Sequence, residues 1–528
     1  MFSVINATIA CLWLASAGID YSEYCYLWQL KEYRVDRLRD FFSTKVGQSY
    51  WKRYSIAWRS ALALIALLWP MNSVLALKYA LITVFAIDAL RGLRAINERR
   101  LQRPVFTAKA IVVIGASLFI EAGAFLFTRD WSLIFLLLIL RFFIISLVVQ
   151  ALWLPTNLLK RWYIYRASVA LKRYPKLVVI GVTGSYGKTS VKTFLGQILG
   201  SKFRVVTTPK HVNTEIGVAR FILSQALRGA EIFVVEMGAY REGEIKKIAR
   251  MVQPTIGILT AINAQHAALF GGIAKIQQAK YELLRALPKN GLAVVNSDNS
   301  YCRAYLSELS ARAVTFGTES EQHPTFFIQS AESGESGITF AGVLRDRPVR
   351  FSAPLIGAHN AMNLAACILV GGHLGMTEAE IIGALALVSM PERTLKIHHY
   401  GISTVIDDSY NSNPDGFLAA LDVLSSFSSE RRRVVITRGI IELGAESKTI
   451  HERLGGAIAY VADELILITR DFEESLRRGV GPSYKLEIVV KDSASLLLPY
   501  VRSLKEKNCV ILLESRLPEV VYNELIGL

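Results

Sequence analysis

The fold of the larger part of the chain is decided by the stretch Leu177-Val178-Val179-Ile180-Gly181-Val182-Thr183-Gly184-Ser185-Tyr186-Gly187-Lys188-Thr189-Ser190. An apolar run leads into a glycine-rich turn, and a helix-like stretch, 191–199, follows it. This order predicts a strand, a phosphate-binding loop and a helix whose positive N-terminus faces the phosphates. In such a loop Lys188 adds positive charge and Thr189 offers a hydroxyl to Mg²⁺. We therefore expect a nucleotide site, although Val182 stands where the general pattern has its first glycine.

Charge separates the first third of the chain from the rest. The chain has 528 residues, of which 52% are hydrophobic, a high fraction for a soluble protein. Up to Arg173 there are 22 Lys and Arg against 9 Asp and Glu, whereas the remainder has 38 against 35. A nucleic-acid-binding protein would carry its basic surface on its folded body, so we expect no nucleic-acid partner. The five cysteines lie far apart, without a C-x-x-C pair, which argues against a disulfide scaffold and a structural zinc site.

The first third is predicted to be an α-helical membrane domain. Apolar runs that are long enough, or nearly long enough, to span a bilayer recur at 2–18, 56–69, 73–90, 108–127 and 131–154. The basic clusters 31–59, 91–109 and 160–173 are all cytoplasmic by the positive-inside rule. These features predict a multi-pass protein of the inner (cytoplasmic) membrane, with everything after Arg161 in the cytoplasm. The second and third runs could alternatively form one re-entrant pair.

Two ionisable residues, Glu121 and Arg141, fall inside the predicted fourth and fifth spans. Charges at that depth are unfavourable and usually have a partner or a function. Since the two spans are antiparallel neighbours, the long Arg141 side chain is expected to reach Glu121. Helix packing is favoured over a role in binding a lipid head group.

The cytoplasmic two thirds carry a series of polar blocks in a fixed order. They are Thr208–Gly217, Val235–Ala239, Gly243–Ile245, His266, Phe270–Gly271, Ala279–Glu282, Asn296–Asp298, Gly357–Asn363 and Asp407–Pro414. With the loop T-G-S-Y-G-K-T-S before them, these blocks resemble those of the Mur ligases, ATP-dependent amide ligases of peptidoglycan synthesis. The block D-D-S-Y-N-S-N-P, 407–414, is similar to the pattern of the MurF-type branch. The resemblance covers the chain from Lys176 to its end.

The resemblance implies a catalytic centre of Lys188, Glu236, His266 and Lys280. Glu236 follows the strand-like run 232–235, which would place its carboxylate at the carboxyl edge of a parallel sheet, where it suits Mg²⁺. Thr189, Glu236, His266 and Lys280 are the implied metal ligands or their neighbours. For Lys280 the resemblance implies a carbamylated side chain that helps to hold a second Mg²⁺. The alternative is an ordinary surface lysine.

The resemblance also implies the residues that bind ATP and the amine. The nucleotide set is Gly184, Ser185, Gly187, Lys188, Thr189, Ser190, Asn296, Asn360, Arg393 and Asp407. Asn360 would face the adenine, Arg393 would reach the phosphates, and Asp407 or Asp408 would hold the ribose or the phosphates. The alternative for Arg393 is an interdomain salt bridge. Asn411 and Asn413 are the expected contacts of the amine substrate, and both residue types also favour turns.

The expected architecture is an α-helical membrane domain followed by α/β domains. The boundaries are 1–160 for about five spans, 161–175 for a basic juxtamembrane linker, 176–390 for a central P-loop ATPase domain, and 391–528 for a C-terminal Rossmann-like domain. A β-rich insert is expected near 325–355. ATP would lie between the last two domains.

The expected function is a membrane-anchored ligase with ATP and Mg²⁺ as cofactors. The substrates would be the muramoyl tripeptide of a peptidoglycan precursor and D-Ala-D-Ala or a similar amine, with membrane lipid as a further partner. MurF-type enzymes carry an N-terminal domain for the UDP-sugar of the acceptor, and here membrane spans stand in that region. Thr214, Ala267-Ala268 and Ala274 also depart from the family pattern on the acceptor side. A ligase for another lipid-linked or polymer carboxylate, and a degenerate ligase scaffold, therefore stay open.

Overall fold

The structure, a computed structural model, forms two compact units, Met1–Arg161 and Trp162–Leu528. It describes residues 2–43, 47, 74–97, 101–128, 131–210, 212–263, 270–334, 337–409, 412–441, 443, 446–481 and 484–527. The predicted span 56–69, His266 and Asn411 lie outside these residues. The proposed domain limits stay predictions.

The first unit is helical. Its described helices are α1 (Phe2–Leu30), α2 (Val35–Ser43), α3 (Val74–Asn97), α4 (Ala108–Thr128) and α5 (Trp131–Ala151), and α6 (Trp153–Leu171) begins in it. Helices thus occupy four of the five predicted spans. Among the described residues, two helical stretches, 4–30 and 136–171, are long and apolar enough to cross a membrane. A buried core helix or a signal sequence has the same length and composition, so a multi-pass membrane domain does not follow from these helices.

Arg141 lies at the centre of a buried polar network in the helical unit. Its guanidinium donates to the carboxylate of Glu121 at 3.0 Å, to Asp20 at 2.8 Å and to the Ser16 hydroxyl at 2.8 Å. The predicted pairing of Glu121 with Arg141 is confirmed, and Asp20 is an additional partner from α1. Because the guanidinium is fully buried and already paired with two carboxylates, it fits the helix-packing interpretation better than a lipid-binding one.

The segment 161–175, expected to be a linker, is helical as far as Leu171. Ala167 is fully buried, and Tyr163 and Ile164 pack against the hydrophobic core of the second unit. The exposed side of this helix carries Arg161 and Arg166 together with Trp162 and Tyr165, and the opposite side packs into the folded body. The basic composition of the segment 161–175 therefore did not indicate that most of it is a helix.

A nine-stranded mixed sheet forms the first part of the second unit. Its strands are β1 (Val178–Thr183), β2 (Val205–Thr207), β3 (Ile232–Glu236), β4 (Ile256–Leu259), β5 (Leu292–Asn296), β6 (Arg312–Gly317), β7 (Phe326–Gly334), β8 (Gly337–Leu344) and β9 (Arg347–Ala353). The order is β2-β3-β1-β4-β5-β6-β7-β8-β9, parallel through β7 and antiparallel from β7 to β9. The expected β-rich insert is thus an extension of the main sheet, because β7 pairs with β6.

Helices cover both faces of this sheet. They are α7 (Lys188–Gly200), α8 (Glu215–Leu223), α9 (Glu244–Val252), α10 (Ile273–Arg285), α11 (Ser300–Arg303), α12 (Asn360–His373) and α13 (Glu378–Leu385). Residues of α7 and α12 share one hydrophobic core, and residues of α8, α9 and α10 share the other. This layering, with helices on both sides of mostly parallel strands, confirms the α/β class.

A second mixed sheet of six strands follows in the order β10-β11-β15-β12-β13-β14. The strands are β10 (Lys396–Tyr400), β11 (Ser403–Asp408), β12 (Arg432–Thr437), β13 (Glu464–Leu467), β14 (Glu487–Val490) and β15 (Cys509–Glu514). The helices are α14 (Pro414–Ser425), α15 (Ser447–Val461), α16 (Glu473–Val480), α17 (Ala494–Leu504) and α18 (Glu519–Ile526). All strand pairs except β10–β11 are parallel, in agreement with the expected α/β C-terminal domain.

Candidate active site

The glycine-rich loop connects β1 to α7, as the sequence predicts. Gly184 has φ +155° and Gly187 has φ +77°, and both values lie in a region that favours glycine. A Cβ on Gly184 would lie 2.0 Å from Thr260 Oγ1, and one on Gly187 would lie 2.9 Å from Asn363 Oδ1. The backbone is therefore packed too closely for side chains at these positions. Such a loop presents backbone N–H groups to a phosphate at the start of a helix.

Lys188 and Ser185 hold the loop in shape. The Lys188 ammonium donates to the carbonyl oxygens of Gly184 at 2.6 Å and Ser185 at 3.0 Å. The backbone N–H of Asn263 donates to Ser185 Oγ at 3.1 Å. Burial lowers the pKa of Lys188, and the nearby carboxylate of Glu236 acts in the opposite direction. Ser190, in the first turn of α7, is buried.

Glu236 ends β3 and lies beside the start of α7, as expected. Its Oε2 accepts a hydrogen bond from Thr189 Oγ1 at 3.2 Å and lies 2.9 Å from Lys192 Nζ, and its Oε1 accepts from Asn213 Nδ2 at 3.1 Å. Burial alone would raise the pKa of Glu236, but Lys192 and Lys188 hold it below its ordinary value. The group is thus an ionised carboxylate in a largely dry, positively charged surrounding.

Lys280 lies on α10 with only 4% of its surface exposed, so it is not an ordinary surface lysine. Burial and the positive charge of Lys188 bring the pKa of Lys280 well below its ordinary value, against the opposing effect of nearby glutamates. The predicted carbamylation is not tested by these contacts.

The donor set near the loop suits a hard divalent cation. The Thr189 hydroxyl and the Glu236 carboxylate offer oxygen atoms, the ligand type that Mg²⁺ prefers, and Mg²⁺ commonly keeps several waters. In the part of the chain that the structure describes, no group of three or more His, Cys, Asp or Glu could hold a metal ion. The residues present therefore fit a Mg²⁺ bound through one or two protein ligands.

Two asparagines of the expected nucleotide set are engaged in the protein's own structure. Asn296 donates to the carbonyl of Thr260 at 2.9 Å and accepts from the N–H of Asp298 at 3.0 Å. Asn360 is fully buried and donates to the carbonyl of Ile356 at 2.8 Å. Asn296 thus supports the loop beside the glycine-rich turn, and the adenine contact of Asn360 stays a prediction.

Tyr522 of α18 contacts both Arg393 and Asp407. The Arg393 guanidinium lies 4.0 Å from the centre of the Tyr522 ring, and the Tyr522 hydroxyl donates to Asp407 Oδ2 at 2.7 Å. Glu392, the neighbour of Arg393, forms an ion pair with Lys210. Neither expected nucleotide contact is tested by this arrangement.

Asn413 caps α14, because its Oδ1 accepts from the N–H of Gly416 at 3.0 Å. Asn413 thus has a structural role as a helix cap, and the turn expected around Asn411 stays a prediction. Asp415, in the first turn of the same helix, accepts from Asn263 Nδ2 at 2.8 Å. The start of α14 is thereby joined to the residue that contacts Ser185 of the glycine-rich loop.

Three residues beside the predicted ones are not indicated by any sequence pattern discussed above. Lys192 lies one helical turn after Lys188, and that spacing could have placed it on the same side of α7. Glu514 follows the apolar run 510–513 in the way that Glu236 follows its own strand. Thr260, which donates to the carbonyl of Tyr186 in the loop, lies in no recognisable motif.

The fold and the loop define the second unit as a P-loop nucleotide-binding α/β protein. The family model described as "Mur ligase middle domain" matches residues 182–371, and the one described as "Mur ligase, glutamate ligase domain" matches 393–515. The two together cover more than half of the chain. The chain belongs to the Mur ligase family.

Several relatives share the name UDP-N-acetylmuramoyl-tripeptide–D-alanyl-D-alanine ligase. The Bacillus subtilis (strain 168) protein is 29% identical over 284 residues, 53% of this chain and 60% of the relative. The Synechocystis relative is 31% identical over 300 residues, 56% and 62% of the two chains. The Escherichia coli (strain K12) relative is 29% identical over 355 residues, 62% and 77% of the two chains. The chain thus spans about three fifths of the length of the first two.

Solved structures show the same fold. The MurF structure from Acinetobacter baumannii superposes with a TM-score of 0.63 at 24% identity, covering 70% of this chain and 81% of that one. The Thermotoga maritima MurF ligase, solved in complex with ADP, gives a TM-score of 0.62 at 24% identity, covering 70% and 83%. At this identity the likeness concerns the fold alone.

Proposed function

We propose that the protein is an ATP-dependent ligase that joins D-Ala-D-Ala to the muramoyl tripeptide of a peptidoglycan precursor. The observation that carries the proposal is the cluster of Lys188, Thr189 and Glu236 at a glycine-rich loop. The relatives whose names state this reaction support the choice of substrates.

The proposed chemistry is carboxylate activation. The acceptor carboxylate attacks the γ-phosphate of ATP to give an acyl phosphate and ADP, and the amine then displaces phosphate through a tetrahedral intermediate. Lys188 and the N–H groups of residues 184–189 stabilise the phosphate charge. The product is an amide.

Mg²⁺ would be held by Thr189 and Glu236, with His266 and a carbamylated Lys280 as the further ligands that the family resemblance implies. When bound, Mg²⁺ neutralises charge on the transferring phosphoryl group. Lys192 keeps Glu236 ionised and in place. Burial of Lys280 is compatible with the modification, because an added carboxylate would replace an unfavourable buried cation.

We further propose the remaining assignments of the binding site. Asn296, Asn360, Arg393 and Asp407 would bind the nucleotide, and Asn411 and Asn413 would bind the amine. The link from Ser185 through Asn263 to Asp415 supports a single cleft for both substrates, because it joins the phosphate loop to the start of α14.

The helical unit is proposed to anchor the enzyme in the inner membrane, as a multi-pass segment with the catalytic domains in the cytoplasm and membrane lipid as a partner. Two apolar helical stretches and the basic excess up to Arg173 support this proposal. A membrane-anchored ligase would be suited to a lipid-linked acceptor. The proposed limits are 1–160, 161–175, 176–390 and 391–528.

The test is a ligation assay with the detergent-purified full-length protein. D-Ala-D-Ala and ATP are offered with UDP-linked and with lipid-linked muramoyl tripeptide in parallel, and the products are identified by mass. We expect a dipeptide adduct on at least one acceptor, and none with Lys188→Ala. Intact ATP binding without an adduct on either acceptor would overturn the proposal and favour another membrane-bound carboxylate.

A further inference from the structure

The carboxyl edge of the six-stranded sheet carries a row of polar side chains. Asp408 of β11 and Thr437 of β12 are both register partners of Glu514, the last residue of β15. Glu514 has 0% of its surface exposed. Its Oε1 accepts from Ser412 Oγ at 3.1 Å, whereas its Oε2 has no hydrogen-bond partner among the described residues.

An unpaired oxygen on a buried carboxylate is unfavourable, so it calls for a physical explanation. Glu464, at the start of β13 in the same sheet, also has an Oε2 without a hydrogen-bond partner among the described residues, but the Arg432 guanidinium lies 3.0 Å from that oxygen. No such cation faces Glu514 among the described residues; its charged neighbours are Asp408 and Asp407. Among the described residues, Glu514 thus has no cation beside it and Oε2 has no hydrogen-bond donor.

A chain of contacts connects Glu514 to the phosphate loop. Ser185 binds Asn263, Asn263 binds Asp415 in the first turn of α14, and Ser412, two residues before that helix, binds Glu514. Ser412 is only half-buried, so a ligand would reach Glu514 from the edge of the sheet where Ser412 lies. The carboxyl edge of parallel strands is also where α/β proteins bind their ligands.

We propose that Glu514 binds the ammonium group of the amine substrate. This inference rests on the proposed ligase function, and it assigns Glu514 as the residue that selects substrates with a free amino group. An ammonium would donate to the unpaired Oε2 and supply the missing positive charge beside Asp408.

The electrostatics of the site agree with a cationic ligand. Burial, with the negative charge of Asp408 as the second cause, raises the pKa of Glu514 well above its ordinary value. An opposite charge next to a carboxylate favours the ionised form, so a bound ammonium would offset this shift. A neutral ligand group would not offset the raised pKa of Glu514.

The experiment compares Glu514→Gln with wild type and with Glu464→Gln, which removes a buried carboxylate from the same sheet away from the contacts to the phosphate loop. KM for D-Ala-D-Ala and for ATP is measured with the full-length protein. The inhibition constant of D-lactoyl-D-alanine, in which a hydroxyl replaces the ammonium, is measured in parallel. Thermal melting checks that each variant is folded.

Loss of a charged hydrogen bond predicts a KM for D-Ala-D-Ala about 10- to 100-fold higher in Glu514→Gln. KM for ATP, the inhibition constant of the hydroxyl analogue, and both KM values of Glu464→Gln should stay within about twofold of wild type. An unchanged KM for D-Ala-D-Ala, or equal weakening of the dipeptide and its hydroxyl analogue, would overturn the assignment. Absence of ligation and of D-Ala-D-Ala binding in wild type would instead refute the proposed function together with this inference.

Discussion

Removal of the Lys192 ammonium should destabilise the part of the chain that carries the nine-stranded sheet. Lys192 Nζ lies 2.9 Å from Glu236 Oε2, and each side chain is only 5% exposed. Lys192→Met keeps most of the aliphatic volume but leaves the carboxylate buried without its nearest counter-ion. Removing one partner of a buried ion pair destabilises a protein by about 3–5 kcal/mol.

This loss should be visible in the melting temperature. A domain of about 150–250 residues loses about 2–4 °C per kcal/mol, so the transition of this part should fall by about 6–20 °C. The assay is thermal unfolding of the full-length protein in EDTA. Adding Mg²⁺ should raise the melting temperature of Lys192→Met more than that of wild type, because the cation would replace the missing charge at Glu236.

Lys202→Met is the matched control. Lys202 also lies 2.9 Å from a carboxylate, that of Glu380, but these side chains are 34% and 40% exposed. Exposed pairs contribute about 0–1 kcal/mol, so this variant should melt within a few degrees of wild type. Equal, small shifts in Lys192→Met and Lys202→Met would refute the reasoning, as would a double variant Lys192→Met/Glu236→Gln that is no more stable than Lys192→Met.

Three further substitutions probe the loop, the carboxylate row and the helical unit. Gly187→Ala should weaken ATP binding at least about tenfold in a nucleotide titration, because residue 187 has a positive φ and the new Cβ would be in close contact with Asn363. The control is Gly372→Ala, whose Cβ would meet nothing within 4 Å, and it should bind ATP as wild type does. Burial raises the pKa of Asp408 from 3.8 to about 7, so the folded protein holds a proton that the unfolded chain releases. The free energy of unfolding should therefore fall as the pH rises from 4 to 7. Asp408→Asn should make this pH dependence weaker in urea titrations. If the slopes are equal, the carboxyl is not protonated in the fold. Arg141→Met should destabilise the helical unit by about 3–5 kcal/mol, because it removes the cation that faces two buried carboxylates. Substitution of the exposed Arg94 in Arg94→Met is the control, and equal melting of the two variants would contradict the network.

Local patterns predicted those parts of the site that depend on neighbouring residues. The loop 184–190 was recognisable because glycines with positive φ, a lysine and a hydroxyl are consecutive in the chain. Glu236 was recognisable because a carboxylate that closes a strand lies at the carboxyl edge. The pairing of Glu121 with Arg141 followed from the positions of two charges in neighbouring apolar helices.

The remaining features depend on contacts between distant segments. Glu514 meets Asp408 only because β15 inserts between β11 and β12, an order that strand patterns do not specify. The extension of the main sheet by β7 likewise depends on its pairing with β6. Asn360 resembles a ligand-binding residue in sequence, yet it donates to the backbone of Ile356, a contact that only the folded loop reveals.

The central claim is that a carboxylate is activated as an acyl phosphate at the Lys188 loop before the amine attacks. An acceptor tripeptide labelled with ¹⁸O in its terminal carboxylate tests this most directly, with the released phosphate and the amide product both analysed by mass. Acyl phosphate formation leaves one carboxylate oxygen on phosphorus, so we predict one ¹⁸O in each released phosphate for every amide formed. Amide formation with unlabelled phosphate, or with the label in AMP, would contradict the account.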